Sequence, residues 1–380
     1  MNSRERVRCA LDHKEPDKVP LDLNGTMCTA LTKTAYINLR SYLGLDSDDA
    51  PEISNVFMDS VRATEDLLSI YDIDTRCIYL NDLAPDIEFG EDGSFADSFG
   101  IVWKPASYYY DAISRPLKDG TIEELKKAKW EDCTDKAQVK GLREKAKWVY
   151  ENTDFCIVAD MHSFGPFEGG CMLRGYENFL IDLGTNEKYS MALLNRLTET
   201  AAAKWAMLLD EAGEYIEVAA QGDDVGMQNS TYISPSMYRK LIKPFHKKLF
   251  DLIHSKTKAK VFLHSCGSVY DLIPDFIEIG VDVLNPIQRS AAKMDIKNLK
   301  KEFGKDLSFW GGGIDVQKQL PFYSLDDIRE EVKRTMDIMA PGGGFIFFPS
   351  HNIQADVTPD RIDWLFKSAL KYRDYKSQGD

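Results

Sequence analysis

Lys260-Val261-Phe262-Leu263-His264-Ser265-Cys266-Gly267 is an apolar run that ends in a histidine, a serine and a cysteine before a glycine opens the next turn. Read as a β-strand, it places His264 and Cys266 on one side, because alternate residues of a strand face the same way. Imidazole nitrogen and thiolate sulfur are the ligand types that zinc prefers, so the pair forms half of a metal site. A buried histidine beside an inert cysteine satisfies the same pattern. The surrounding chain has to separate the two.

Outward from this strand the pattern is regular. Strands are expected at Val19–Leu23, Thr75–Leu80, Phe155–Ala159, Tyr215–Ala220, Val281–Leu284, Leu307–Trp310 and Gly344–Phe348, most of them followed by an amphipathic helix. Pro235 and Pro359 each follow a capping Ser or Thr at the start of such a helix. Strands alternating with helices imply βαβ units and a parallel sheet. About eight units fit, so the expected fold is an α/β (β/α)8 TIM barrel with its active site at the C-terminal strand ends. A doubly wound sheet is the alternative, but no strand runs into a GxGxxG or GxxxxGK[ST] phosphate loop. Residues Ser3 to His13 read as a helix capped by Ser3, Ser60–Tyr71 as another, and Asp160–Gly175 as a long loop. Residues 81–152 read as an insertion with a hairpin around Phe89–Ser98.

The 380 residues include 43% hydrophobic and 28% charged, ample for a soluble core. A formal charge of −14 argues against a general nucleic-acid or anionic-membrane surface. No stretch has the apolar core of a signal peptide or a membrane span, so a cytoplasmic protein is expected. The seven cysteines are scattered without CxxC pairs, which disfavours a disulfide framework.

In a barrel the strand-end residues converge: Asp22 and Asn24, Asp160 and His162, Asp223 and Asp224, His264 and Cys266, Asn285, Asp315 and His351. A catalytic zinc needs a third protein ligand and an exchangeable position. Glu168, His351, His162 and Asp223 are the candidates. Glu168 lies in a glycine-rich stretch, and Asn352 stands beside His351 to orient it. Asp223, Asp224 or Asn285 would serve the reacting group. Asp22 and Asn24 would contact substrate, and Phe164, Phe167, Trp310, Phe347 and Tyr108–Tyr110 would wall an aromatic pocket. Each also has an ordinary role open to it, as a turn cap, a solvated acid or core packing.

Several motifs now stand in order along the chain: Ser3-Arg-Glu-Arg-Val7, Pro16-Asp-Lys-Val-Pro20, Gly222-Asp-Asp-Val-Gly226, Ile233-Ser-Pro235, His264-Ser-Cys-Gly267, Trp310-Gly-Gly-Gly313 and Ser350-His-Asn-Ile-Gln354. Together they resemble the uroporphyrinogen decarboxylase superfamily over essentially the whole chain. The resemblance implies one barrel domain, residues 1–380. In the decarboxylases themselves it implies a metal-free site with an arginine-rich motif after the first strand. Here Leu23-Asn-Gly-Thr-Met-Cys-Thr-Ala30 stands in that place, with no arginine before Arg40. The zinc-dependent, corrinoid-linked methyltransferases of the superfamily carry His-x-Cys where this chain has His264 and Cys266. Those that methylate a thiol use a third, later cysteine, which is missing here. The resemblance therefore implies the sister group that demethylates methyl ethers, with Glu168 as the third ligand, Zn2+ as cofactor and a corrinoid carried by a partner protein. A decarboxylase of a smaller tetrapyrrole-like substrate and a non-catalytic ligand-binding barrel are the alternatives.

Overall fold

Seven short apolar runs form the sheet, and their alternation divides its two faces between separate cores. In the computed structural model, which describes residues 1–47, 51–81, 87–130, 133, 135–161 and 164–375, these strands are β1 (Thr75–Ile78), β2 (Cys156–Asp160), β3 (Val218–Gly222), β4 (Lys260–His264), β5 (Val283–Asn285), β6 (Ser308–Trp310) and β7 (Phe345–Ile346). Each is hydrogen-bonded in parallel to the next in chain order. Cys156, Val158, Val218, Ala220, Phe262, Val283, Trp310 and Ile346 share one buried cluster with Val7, Ala10 and Leu11 of helix α1 (Ser3–Leu11). The intervening residues, such as Ile157, Ala219, Val261, Leu284 and Phe309, join the larger cluster formed with the surrounding helices. Two faces with two different packings follow from a period of two.

Helix α1 stands at the N-terminal edge of this curled sheet. Arg4 donates to the Phe155 carbonyl, Arg8 to Glu217, and the Gly344 N–H to the Ala10 carbonyl, all just before strands. Asn2, rather than Ser3, caps α1, in a reciprocal box with Glu5. Residues 19–23 are not a continuous strand, since Pro20 removes a ladder donor. Leu21 nevertheless bridges in parallel to Phe347, and its carbonyl accepts the Asp74 N–H at 2.9 Å.

Three other expectations are corrected. Residues 60–61 pair with Leu31–Thr32 and with Ile53–Asn55 in a small antiparallel sheet, so the helix expected at Ser60–Tyr71 begins only at Glu65. The hairpin region is a three-stranded antiparallel sheet of Phe95–Ala96, Val102–Ala106 and Tyr109–Ser114. The loop expected over Asp160–Gly175 contains helix α2 (Pro166–Arg174), with Pro166 in its first turn. Its glycines serve close packing. A Cβ on Gly170 would lie 2.5 Å from the Phe179 ring, and one on Gly169 2.9 Å from Leu197 of helix α3 (Glu187–Ala212). Among the described residues no helix is long and apolar enough to cross a membrane.

Candidate metal centre

His264 is the last residue of β4, and β5 determines how its ring is held. Asn285 ends β5, and its amide nitrogen donates to the Trp310 carbonyl at 2.8 Å. The amide oxygen thereby faces His264 Nδ1, 2.5 Å away. An oxygen can only accept there, so Nδ1 carries the proton and Nε2 keeps its lone pair. That lone pair faces Cys266 Sγ at 3.4 Å. The two side chains meet as expected, although β4 ends before Cys266. Ser265 extends the ladder by one bond to the Asn285 carbonyl, and the Cys266 N–H then donates to Asp224 Oδ1 at 2.7 Å. The turn forms only because two glycines touch: a Cβ on Gly267 would lie 2.5 Å from the Gly226 carbonyl carbon, and Gly267 has φ +89°.

Two sets of ligand atoms gather here, each within 4.8 Å of one another: Asp224, His264 and Cys266, and Cys28, His264 and His351. Glu168 lines the same cavity from the first turn of α2. Burial, reinforced by Asp224 and Asp223, pushes its carboxyl well above the usual range. Burial likewise raises Asp224 and raises the Cys266 thiol well above its ordinary value. Burial and the neighbouring His264 lower His351 to about 3. A dication among these groups would reverse the penalty on the acids and suit neutral imidazoles. The donor set fits zinc, which takes His nitrogen, Cys sulfur and carboxylate oxygen.

Asn285 is a positioning residue, since it is buried and both ends of its amide are engaged by protein groups. Asn285→Leu should lower zinc affinity about 10–100-fold, measured by competition with a chelator, without changing the zinc-to-protein ratio at saturation.

Several expected site residues stand elsewhere. Asp223 does not line the cavity. Its carboxylate accepts the N–H groups of Phe167 (2.9 Å) and Glu168 (2.6 Å) at the start of α2, and His246 Nε2 at 2.5 Å. His246 in turn meets the Tyr238 hydroxyl. A Cβ on Gly165 would fall 2.3 Å from Asp223, so only glycine lets the helix approach so closely. Asp22 is fully buried, accepting from Trp310 Nε1 at 2.7 Å and from Thr75 and the Gly25 N–H. Trp310 therefore belongs to the interior beside Asp22, not to a substrate wall. Asn24 donates to the Val61 carbonyl and accepts the Ala63 N–H. Phe167 packs on Phe179 and Tyr232, and Phe347 lies against Gly313 and Phe345. Asn352 accepts the Ala30 N–H and donates to the Met27 carbonyl, so its amide is engaged by the 27–30 loop. His162 lies outside the described residues.

The centre opens into a cavity of about 1650 Å3. Phe164, Tyr109 and Tyr110 line it as expected, while Tyr108 is exposed. Its principal aromatic wall was not anticipated. Phe57 lies 4.4 Å from Trp103 and 5.7 Å from Phe95 between ring centroids, and Trp103 stacks at 6.5 Å on Phe164. Residues far apart in sequence make this wall, and no local pattern marks it.

Fold and site thus define a parallel α/β protein with metal-type donors gathered at the carboxyl ends of its strands. The uroporphyrinogen decarboxylase (URO-D) family model matches residues 119–372, more than half of the chain, and the chain belongs to that family. Among solved structures it is similar to a methyltransferase from Methanosarcina mazei, with TM-score 0.64 and 17% identity over 98% of this chain and 99% of that one. That likeness shows the shared fold. A β-glycosidase from Thermosphaera aggregans matches at TM-score 0.39 and 12% identity over 82% and 85% of the two chains, too distant to carry an argument. A search of curated proteins found no match.

Proposed function

We propose that this protein is a methyltransferase that moves a methyl group from a methoxylated, aromatic donor to the Co(I) of a corrinoid on a separate protein, with zinc at His264 and Cys266. One observation carries the reading: a tautomer-fixed His264 Nε2 stands 3.4 Å from Cys266 Sγ, beside acids, in an aromatic-walled cavity. When bound, the ion supplies Lewis-acid stabilisation of the charge that develops on the donor oxygen as the methyl leaves. His264, Cys266 and a carboxylate from Glu168 or Asp224 would hold it, with His351 the further candidate. Phe57, Trp103 and Phe164 offer ring faces to an aromatic donor. Of the three polar residues expected to serve the reacting group, Asp224 alone lines the cavity, and on this reading it would return a proton to the product oxygen if Glu168 holds the ion.

The same reading treats residues 1–380 as one domain and segment 19–23 as the eighth stave of a closed (β/α)8 barrel. The Leu21–Phe347 bridge on one side and the Asp74–Leu21 bond on the other support that closure.

The decarboxylase alternative fits the cavity poorly. Its charged lining comprises the cations Arg62, Lys129 and Lys204 against the acids Glu52, Glu88, Asp97, Asp135, Glu168, Asp224 and Asp315. Arg40 is turned away, bonded to Thr64, Asp66 and the Asp46 carbonyl. A substrate bearing many carboxylates would meet a field of its own sign.

The test is release of the demethylated phenol from methoxylated aromatics by zinc-loaded protein with a reduced corrinoid protein. Release is expected from wild type and not from Cys266→Ala. Equal release by both, or no zinc uptake by wild type, would overturn the proposal.

A further inference from the structure

We infer that Cys28 is a ligand of the same ion, giving the centre a second thiolate from the opposite side of the sheet's mouth. The inference rests on the metal-centre reading above and adds to it a residue that lies 236 positions from His264 in sequence, by difference of the two residue numbers.

Three observations lead to it. First, Cys28 Sγ, a His264 ring nitrogen and a His351 ring nitrogen lie within 4.8 Å of one another. Zinc bonds of ~2.0–2.3 Å in tetrahedral directions separate neighbouring ligand atoms by roughly 3.3–3.8 Å. A small contraction therefore brings Cys28 onto an ion held by His264. Because Asn285 occupies His264 Nδ1, the histidine has only Nε2 to offer, and the Cys266 set and the Cys28 set must share one ion rather than hold two.

Second, the loop that carries Cys28 is tied to other strand ends of the site. The Met27 N–H donates to Asp160 Oδ2 at 2.7 Å, at the end of β2. The Ala30 N–H donates to Asn352 Oδ1 at 2.8 Å, and Asn352 Nδ2 returns a bond to the Met27 carbonyl at 3.0 Å. Cys28 is thus clamped between β2 and the residue that follows His351, and its side chain lines the cavity although it is only 4% exposed. Inside the loop, the Cys28 N–H is taken by Thr26 Oγ1 at 3.2 Å.

Third, the competing acids are less well placed. Asp224 Oδ1 already accepts the Cys266 N–H. Glu168 belongs to neither set of converging donor atoms found among the described residues. Thiolate is the softer ligand and the one zinc favours over carboxylate. Two thiolates also balance the dication's charge.

The test is zinc K-edge X-ray absorption on the full chain loaded with Zn2+. Wild type should show two sulfur neighbours at ~2.3 Å, and Cys28→Ser and Cys266→Ser one each. Zinc affinity should fall at least tenfold in Cys28→Ser, with an unchanged urea midpoint as the folding control. Cys28→Ala provides a second variant for the sulfur count. A single sulfur in wild type, or two remaining in both Cys28 variants, would overturn the inference while leaving the His264–Cys266 centre standing. Absence of zinc uptake by wild type would remove the centre and the inference together.

Discussion

Replacing His264 by alanine should abolish zinc retention and methyl transfer while leaving the fold intact. The imidazole stands at the end of β4, outside both apolar clusters, and its polar contacts are to Asn285, Cys266 and Asp224. Removing it deletes the one ligand common to both sets of metal-type donors. It takes away little packed apolar surface, so the stability change should stay within about 1 kcal/mol. Elemental analysis should fall from about one zinc per chain to background, with the far-ultraviolet dichroism unchanged and the urea midpoints of the two metal-free proteins agreeing within that margin. A variant that unfolds would make His264 a core residue. A variant that keeps its zinc would place the ion elsewhere.

The second large effect concerns stability, and its residue was first expected to do chemistry. Asp223→Ala should destabilise the protein by about 3–5 kcal/mol, the summed cost of leaving three buried donors without their acceptor. The carboxylate is buried and serves three donors: two N–H groups at the start of α2 and His246 Nε2. Alanine leaves those N–H groups and the buried imidazole without their acceptor, and each such loss adds a desolvation penalty. Because Glu168 stands in that same first turn, the variant should also shift its carboxyl in the cavity, and the proposed zinc affinity with it. Urea titration measures the first effect, and zinc affinity of the folded fraction measures the second. Asp223→Asn, which keeps an acceptor oxygen, should recover part of the stability. If Asp223→Ala were as stable as wild type, the capping role would be wrong.

The methyl-transfer reading and the Cys28 inference make separable claims. The first requires metal and turnover at His264 and Cys266. The second requires only a sulfur count. A corrinoid-linked reaction with one sulfur on zinc would keep the first and discard the second.

The parallel α/β architecture could be read from the chain because strand patterning is local. Runs such as Val261–Leu263 and Val283–Leu284 are apolar on both faces, as buried parallel strands must be, and caps such as Ser234 and Ser324 mark helix starts within a few residues. The His264 and Cys266 pairing was legible for the same reason, since two residues of separation leave little freedom at a strand end. Helix α2 was hidden because its glycines look like loop residues, and only the neighbouring Phe179 and Leu197 explain why nothing larger fits.

What a carboxylate does once buried depends on which donors arrive from distant segments. Asp223 and Asp224 are adjacent and chemically identical, yet one meets the start of α2 and His246, while the other meets Cys266 and the cavity. Asp22 and Trp310, expected at a substrate wall, find each other across 288 residues instead. Cys28 reaches the metal-type donors only because Asp160 and Asn352 hold its loop from two other strand ends. Periodicity and capping, which act over a few residues, are written in the sequence. The sharing of donors and acceptors in a buried site is a contest among remote groups, and the tertiary structure alone decides it.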